Sequence, residues 1–239
     1  MSEDGLRGLA VSGQTGDDLD LERDLRHLSR LLTHELRSPA GVLRGYLAML
    51  AEGSLGELPD QARQAVDVAY QQSLRLCRLL EHVLLALHLR EGSVMVRMAH
   101  LDLAGWLRER LAEADAWTVE FDARTTPLAA TFDSQLLGQA LTNLLENARK
   151  ASPPGAPIRV RLRRQEKAAV IEVIDRGSGL PRGFVPGLFK RVAGSGAADR
   201  GLGLGLFIAE RIAQLHNGRL THRSSPVGTV VRMHLPADI

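Results

Sequence analysis

Two kinds of hydrophobic periodicity divide the chain. In the first part, apolar residues recur at spacings of three and four. Leu21, Leu25, Leu28 and Leu32 begin a stripe that Leu36, Leu43, Tyr46 and Leu50 continue, with Pro39 occupying one of its positions. That spacing predicts a long helix, from about Asp18 to Ala51, with a coiled-coil-like seam. The stretch Glu52 to Asp60 holds Gly53, Gly56 and Pro59 and reads as a turn. Pro59 or Asp60 starts a second helix that runs to about Arg90. Its seam is Ala65, Ala69, Gln72, Leu76, Leu79, Val83 and Ala86, widened by Leu80, Leu84 and Leu87. Two long helices joined by a short turn form a helical hairpin. One hairpin cannot bury stripes this wide. A symmetric pair can, as a four-helix bundle, so the pattern predicts a homodimer. The competing expectation is packing against the second half of the chain.

Glu91-Gly92-Ser93 ends the hairpin, and the period then changes to short β-like runs alternating with helices. Val94–Met98 reads as a strand, Leu101–Ala114 as a helix, Thr118–Phe121 as a strand and Ser134–Ala151 as a helix. Ile158–Leu162 alternates apolar and charged residues. Ala169–Ile174 is apolar throughout, as a central strand is. A glycine-rich stretch follows from Gly177 to Gly205. Leu206–His216 then reads as a helix stopped by Asn217-Gly218, and Thr229–Leu235 as a last strand. Mixed strands and helices without regular βαβ units predict an α+β sandwich, with helices on one face of a mixed sheet. The expected organisation is a flexible leader over 1–18, the helical hairpin over 19–92 and the sandwich over 93–239.

Composition narrows the class. The 239 residues are 44% hydrophobic and 24% charged, enough for two modest domains with real cores. The net charge of +2 demands no nucleic acid. The single cysteine, Cys77, makes no intrachain disulfide or thiolate cluster, and reads as a reduced thiol. No apolar run approaches the roughly 18–20 residues of a membrane span. The expectation is a soluble, cytoplasmic chain without a transmembrane segment, so that any membrane-bound sensory partner acts in trans.

The candidate chemistry begins at His34. It falls midway between seam positions 32 and 36, so at roughly 100° per residue it points about 160–200° away from the seam. An exposed neutral imidazole is a nucleophile near neutral pH. Glu35 beside it is able to accept a proton or fix the tautomer. Arg37 and Ser38, three and four residues on, share its face. Arg37 offers charge to a phosphate, and Ser38 offers a hydroxyl able to hold a water. Pro39 removes one backbone bond and frees the Glu35 carbonyl, loosening the helix beside the nucleophile.

Three more clusters lie in the second part. Asn143, Glu146, Asn147 and Lys150 line one face of a predicted helix, and Leu137, Ala140, Leu141, Leu144 and Ala148 line the other. A solvated polar face does not require two weak helix formers one turn apart. Amide oxygens are hard, neutral ligands that suit Mg²⁺ already wrapped in phosphate charge, and Lys150 reaches those phosphates. Asp175, with Gly177 and Gly179, follows the apolar strand. A plain Asp-Gly turn would look the same, but a carboxylate there also suits an adenine amino group, with glycines that let backbone approach the base. Gly201, Gly203 and Gly205 open a helix and make a backbone cradle for phosphate. A Gly-x-x-x-x-Gly-Lys-[Ser/Thr] loop is absent, which excludes a P-loop enzyme.

Taken together these stretches resemble the boxes of two-component sensor histidine kinases. His34-Glu35-Leu36-Arg37-Ser38-Pro39 is similar to the H-box, with Ser38 where Thr is usual. Asn143 to Lys150 is similar to the N-box, and Asp175 to Gly179 and Gly201 to Gly205 to the two glycine boxes. Leu202 replaces a frequent Thr. Gly228-Thr229 resembles a further box, and Phe189 the first aromatic of the lid box, where Val192 replaces a second Phe. The resemblance covers residues 20 to 236. It implies a dimeric His-bearing helical-hairpin bundle followed by an α/β sandwich ATP-binding domain of the Bergerat or GHKL type. It implies autophosphorylation of His34 from Mg·ATP, with the metal on Asn147 and Glu35 and Ser38 assisting, then phosphoryl transfer to an Asp of a response regulator receiver domain. The other class considered is a pseudokinase or interaction module that binds a partner without productive transfer.

Overall fold

The computed structural model describes residues 36–113, 118–123, 127–180 and 204–237. The chain divides into two compact units, one ending at Leu87 and the other beginning at His88. The expected leader and the first half of the first helix lie outside the described residues.

The first unit is a helical hairpin. Helix α1 is described over 36–51, and α2 spans Asp60–Glu91. The turn between them forms because Gly53 takes φ +77°, which a side chain resists. Ser54 N then donates to the Met49 carbonyl at 2.9 Å and Gly53 N to the Leu50 carbonyl at 3.3 Å, a Schellman stop. Gly92 (φ +66°) closes α2 with the same long bond, from Ser93 N to the His88 carbonyl at 3.1 Å. The Cys77 thiol donates to the Ala40 carbonyl at 3.6 Å, which lays the two helices side by side.

The α2 stripe expected at Ala65, Ala69, Gln72 and Leu76 is exposed in the single chain. Over that stretch the half-buried positions are instead Ala62, Val66, Tyr70, Leu74 and Cys77, with Ser73 buried among them, whereas the later seam positions Leu79, Val83 and Ala86 are half-buried or buried as expected. A wide apolar stripe offers two adjacent seams, and spacing alone does not say which one meets the sister helix. On α1, Leu36, Leu43 and Tyr46 remain 44%, 49% and 60% exposed, so intrahairpin packing leaves the expected seam uncovered.

The second unit is a two-layer sandwich. Its strands and helices are β1 (Ala99–Asp102), α3 (Leu103–Ala112), β2 (Val119–Ala123), β3 (Ala129–Phe132), α4 (Ser134–Ala151), β4 (Ile158–Gln165), β5 (Ala168–Ile174), α5 (Leu204–Leu215), β6 (Arg219–Ser225) and β7 (Gly228–Pro236). A five-stranded sheet runs β2-β4-β5-β7-β6, with β2 and β4 parallel and the other pairs antiparallel; β1 and β3 form a separate antiparallel ribbon. Alternation sets the two faces. Val160 and Leu162, Ile171 and Val173, and Met233 and Leu235 are buried on one face. Leu137, Leu141 and Leu144 of α4 and Ile208 and Ile212 of α5 are buried with them. On the opposite face Glu172 is only 6% exposed and is held by Arg232 at 2.7 Å and Arg163 at 3.2 Å from the flanking strands. Burial pushes the Glu172 carboxyl up, and the two guanidinium partners outweigh it and hold it below the usual range.

Three expectations shift. Residues 93–98 are irregular, and the strand comes later, at Ala99–Asp102. The helix expected from Leu101 begins at Leu103, because Asp102 caps it by accepting from Ala104 N and Gly105 N at 3.1 Å each. Strands β3 and β6 were not anticipated; β6, Arg-Leu-Thr-His-Arg-Ser-Ser, is a polar edge strand without a clear apolar alternation.

Asp133 joins three segments. It caps α4 through Gln135 N and Leu136 N at 3.0 Å each, and accepts from Arg97 N at 2.7 Å. Burial raises its carboxyl, and the donors from Arg97, Leu136 and Gln135 outweigh that and leave it below the ordinary value. Its own N–H donates to His216 Nε2 at 2.9 Å, so His216 carries its proton on Nδ1, 2.8 Å from the Ile212 carbonyl.

Candidate functional site

The amide face of α4 turns toward α5. Asn143 is 2% exposed, and neither its Oδ1 nor its Nδ2 has a hydrogen-bond partner among the described residues. Asn147, one turn on, is half-buried. A Cβ on Gly205 would lie 2.8 Å from Asn147 Nδ2 and 3.2 Å from its Oδ1. The first turn of α5 therefore sits on the Asn147 amide, and glycine at 205 is what permits it. The sequence pattern gave this face to a metal and phosphate and carried no sign of how closely α5 covers it. Lys150 is exposed and lies 3.5 Å from Glu146, an i,i+4 pair of the weak, solvated kind.

The segment after β5 is built around Asp175, which is 9% exposed. Its Oδ1 accepts from Gly177 N at 2.8 Å and Thr229 N at 3.0 Å, and its own N donates to the Thr229 carbonyl at 2.9 Å. Among the described residues Oδ2 has no partner and remains an open acceptor. Gly177 and Gly179 are required for a reason other than access to a ligand. A Cβ on Gly177 would meet the Ala151 carbonyl at 2.6 Å. Gly179 takes φ +83°, and a Cβ there would strike the Ser225 carbonyl and Ser224 Oγ. Both glycines let the segment lie flat against the end of α4 and the β6–β7 turn.

The structure brings Asn147 and Gly205 together directly, with Asn143 on the same helix, and holds Asp175, Gly177 and Gly179 in one segment beside the end of α4. Ser38 and Arg37 are exposed on α1, in the other unit. His34, Glu35, Gly201, Leu202, Gly203, Phe189 and Val192 lie outside the described residues. Ser224, which bonds the segment after Asp175, was not singled out by the sequence, nor were Asp133 and His216, which brace the far end of α4 and α5. A capping Asp before a helix is readable in principle; a serine in a polar hairpin gives no signal. No group of three or more His, Cys, Asp or Glu able to hold a metal occurs among the described residues. Among them, too, no helix is long and apolar enough to cross a membrane.

Comparison with known proteins gives a consistent result. Residues 132–239 match the family of histidine kinase-, DNA gyrase B- and HSP90-like ATPases, and residues 24–92 match the His Kinase A phospho-acceptor domain. The probable sensor histidine kinase TcrY of Mycobacterium tuberculosis is 31% identical over 86% of this chain and 44% of its own length. The signal transduction histidine-protein kinase AfsQ2 of Streptomyces coelicolor is 30% identical over 87% of this chain and 41% of its own. The sensor protein KdpD of Clostridium acetobutylicum is 26% identical over 93% of this chain and 26% of its own. The chain thus spans less than half the length of these relatives. Full-length ShkA, solved with AMPPNP, shares the fold with a TM-score of 0.70 at 21% identity, over 88% of this chain and 46% of that one. With a phospho-acceptor domain followed by an ATPase domain of this type, the chain belongs to the two-component sensor histidine kinase family.

Proposed function

We propose that this chain is an ATP:protein-histidine phosphotransferase, which phosphorylates His34 and passes the phosphoryl group to an aspartate of a response regulator. The observation that carries the reading is the amide pair of α4. Asn143 is buried with both amide atoms unpaired among the described residues, and Asn147 lies under the glycine in the first turn of α5. An interaction module has no need to bury an unpaired amide beside a glycine-cleared helix N-terminus. A nucleotide site does, because the unmet groups and the N-terminus of α5 together suit phosphate. The residues also fit Mg²⁺. Asn147 would hold it, backed by Asn143, and when bound it neutralises phosphate charge. The open Oδ2 of Asp175 suits the exocyclic amine of adenine. Lys150 supplies further positive charge at the phosphate end once it leaves Glu146.

In the transfer, the His34 imidazole forms a N–P bond as the bond from the γ-phosphorus to the ADP oxygen breaks, and ADP keeps the electron pair. Glu35 takes the imidazole proton. The Ser38 hydroxyl is suited to hold a water for hydrolysis of the regulator's acyl phosphate. The exposed seam of α1 and α2 supports a homodimeric bundle, since one hairpin leaves Leu36, Leu43, Tyr46 and Leu76 uncovered. ATP is a cytoplasmic nucleotide, and we assign the chain to that compartment on this ground. The test is incubation with γ-labelled ATP. Label that is acid-labile, alkali-stable and absent from His34→Gln is expected. An acid-stable label, or one that survives His34→Gln, overturns the assignment.

A further inference from the structure

Ser224 is half-buried near the end of β6 and is not among the family residues considered so far. Its Oγ accepts a hydrogen bond from Leu180 N at 2.6 Å and lies 3.3 Å from Thr229 Oγ1. An amide N–H only donates, so the Leu180 bond uses an acceptor lone pair of the hydroxyl and leaves its proton for a second bond. One hydroxyl thus joins the backbone of the Asp175–Leu180 segment to the side chain of Thr229. Thr229 is in turn bonded through its backbone to both the N–H and the carboxylate of Asp175. Gly179 and Gly228 keep the two strips in contact: a Cβ on Gly179 would strike Ser224 and Ser225, and one on Gly228 would strike the Asp175 carbonyl. The segment is therefore fastened at both ends, at Asp175 by Thr229 and at Leu180 by Ser224. Only the second fastening depends on a side chain that can be removed without touching Asp175.

We infer that Ser224 is a positioning residue for nucleotide binding. Its hydroxyl holds the 177–180 backbone against the β6–β7 turn, so that Asp175 and the adjacent glycine backbone form one preorganised wall at the base end of the site. Without it, Leu180 N loses its partner, and binding must first re-order the segment. This rests on the reading of the sandwich as a nucleotide-binding domain. It adds a residue outside the glycine boxes and assigns it to the base end of the nucleotide.

The experiment is titration of the full chain, as wild type, Ser224→Ala and Ser224→Thr, with Mg·ATP and Mg·ADP by calorimetry, alongside thermal melting and autophosphorylation at saturating ATP. One hydrogen bond's worth of organisation corresponds to about three- to tenfold in affinity. Ser224→Ala is expected to weaken ATP and ADP binding by the same factor, because the base end is common to both. The maximal rate of His34 labelling is expected to hold, raising KM and sparing kcat. Ser224→Thr keeps the hydroxyl in a strand that accepts β-branching and is expected to restore affinity to within about twofold. Wild-type affinity in Ser224→Ala, with or without a lower melting temperature, overturns the inference. So does a loss that Ser224→Thr fails to rescue, or one confined to ATP. If wild type binds both nucleotides but never labels His34, the kinase reading fails while this test still stands.

Discussion

Replacing Gly205 by Ala separates the site from the fold. The added methyl would lie 2.8 Å from Asn147 Nδ2, 3.2 Å from Oδ1 and 3.3 Å from Cγ. Ordinary contacts of this kind sit near 3.5 Å or beyond, so the amide must retreat by roughly 0.7 Å. The end of a flexible side chain retreats easily, at a cost of about 0.5–1.5 kcal/mol for an off-rotamer torsion. Gly to Ala inside a helix recovers about 1 kcal/mol, somewhat less in the first turn. The two nearly cancel, and the melting temperature is expected to stay within about 4 °C of wild type. The Asn147 amide, however, no longer stands where it would meet a cation on the phosphates, and displaced support of a metal ligand typically costs ten- to a hundredfold in affinity. Calorimetric titration with Mg·ATP is expected to show that loss, and titration with ATP in EDTA a much smaller one. Gly177→Ala is the contrast. Its Cβ meets backbone, the Ala151 carbonyl at 2.6 Å, which cannot rotate aside, and the variant is expected to melt lower. Wild-type Mg·ATP affinity in Gly205→Ala, or an equal loss with and without metal, would refute the role given to Asn147.

Three further outcomes follow from the same geometry. Glu172→Gln leaves Arg163 and Arg232 facing a neutral amide, and is expected to cost about 1–3 kcal/mol in urea unfolding at pH 7, discounted because both arginines are a third exposed. The Glu172 carboxyl is held below its usual value, so its contribution is full above the unfolded-state value near 4.5 and is lost as pH falls through the folded one; the wild-type–mutant gap should close in acid. Asp133→Ala removes the cap of α4 and the acceptor for Arg97 N, and is expected to cost about 2–3 kcal/mol, whereas Asp133→Asn, which keeps an oxygen for the cap, costs less. Asn143→Leu is expected to raise the melting temperature while weakening Mg·ATP binding; a variant that melts lower and binds normally would make Asn143 purely structural.

The parts of this fold that are legible in sequence are those set by local backbone chemistry. Ser134–Ala151 is read to the residue because its apolar face repeats without interruption. Gly53, Gly92 and Asn217 mark three helix ends because each takes a positive φ that few other residues tolerate. Strand β5 is read as central from its unbroken apolar run, and it is, with β4 and β7 on either side. What escaped was set by tertiary neighbours. Strand β6 is polar on both faces and is held in place by β7, so no period announces it. The first half of the α2 seam was displaced to the next stripe, since which of two apolar seams meets α1 is decided by packing, while Leu79, Val83 and Ala86 kept theirs. Asn143 and Asn147 were found by their amide chemistry, but the placement of Asn147 under α5 depends on Gly205, 58 positions beyond it by sequence number.

Asn143 shows why such a site is worth reading as energy. A buried polar atom without a partner costs on the order of 1–3 kcal/mol, and Asn143 presents two on one side chain. It sits on a helix whose neighbours Leu141, Leu144 and Leu145 are each 3% exposed, so a leucine would satisfy the packing and remove the penalty. Asparagine is also the weaker helix former. Every local term in the free chain therefore favours an apolar residue at 143, and the retained amide needs a compensation that the described residues do not supply. Binding supplies it if the partners of the amide arrive with the nucleotide. The unmet groups are then preorganised, and the stability forgone in the free chain reappears as affinity. On that account Asn143→Leu should move stability and affinity in opposite directions. A core residue would move stability alone, and a solvated surface residue would move neither.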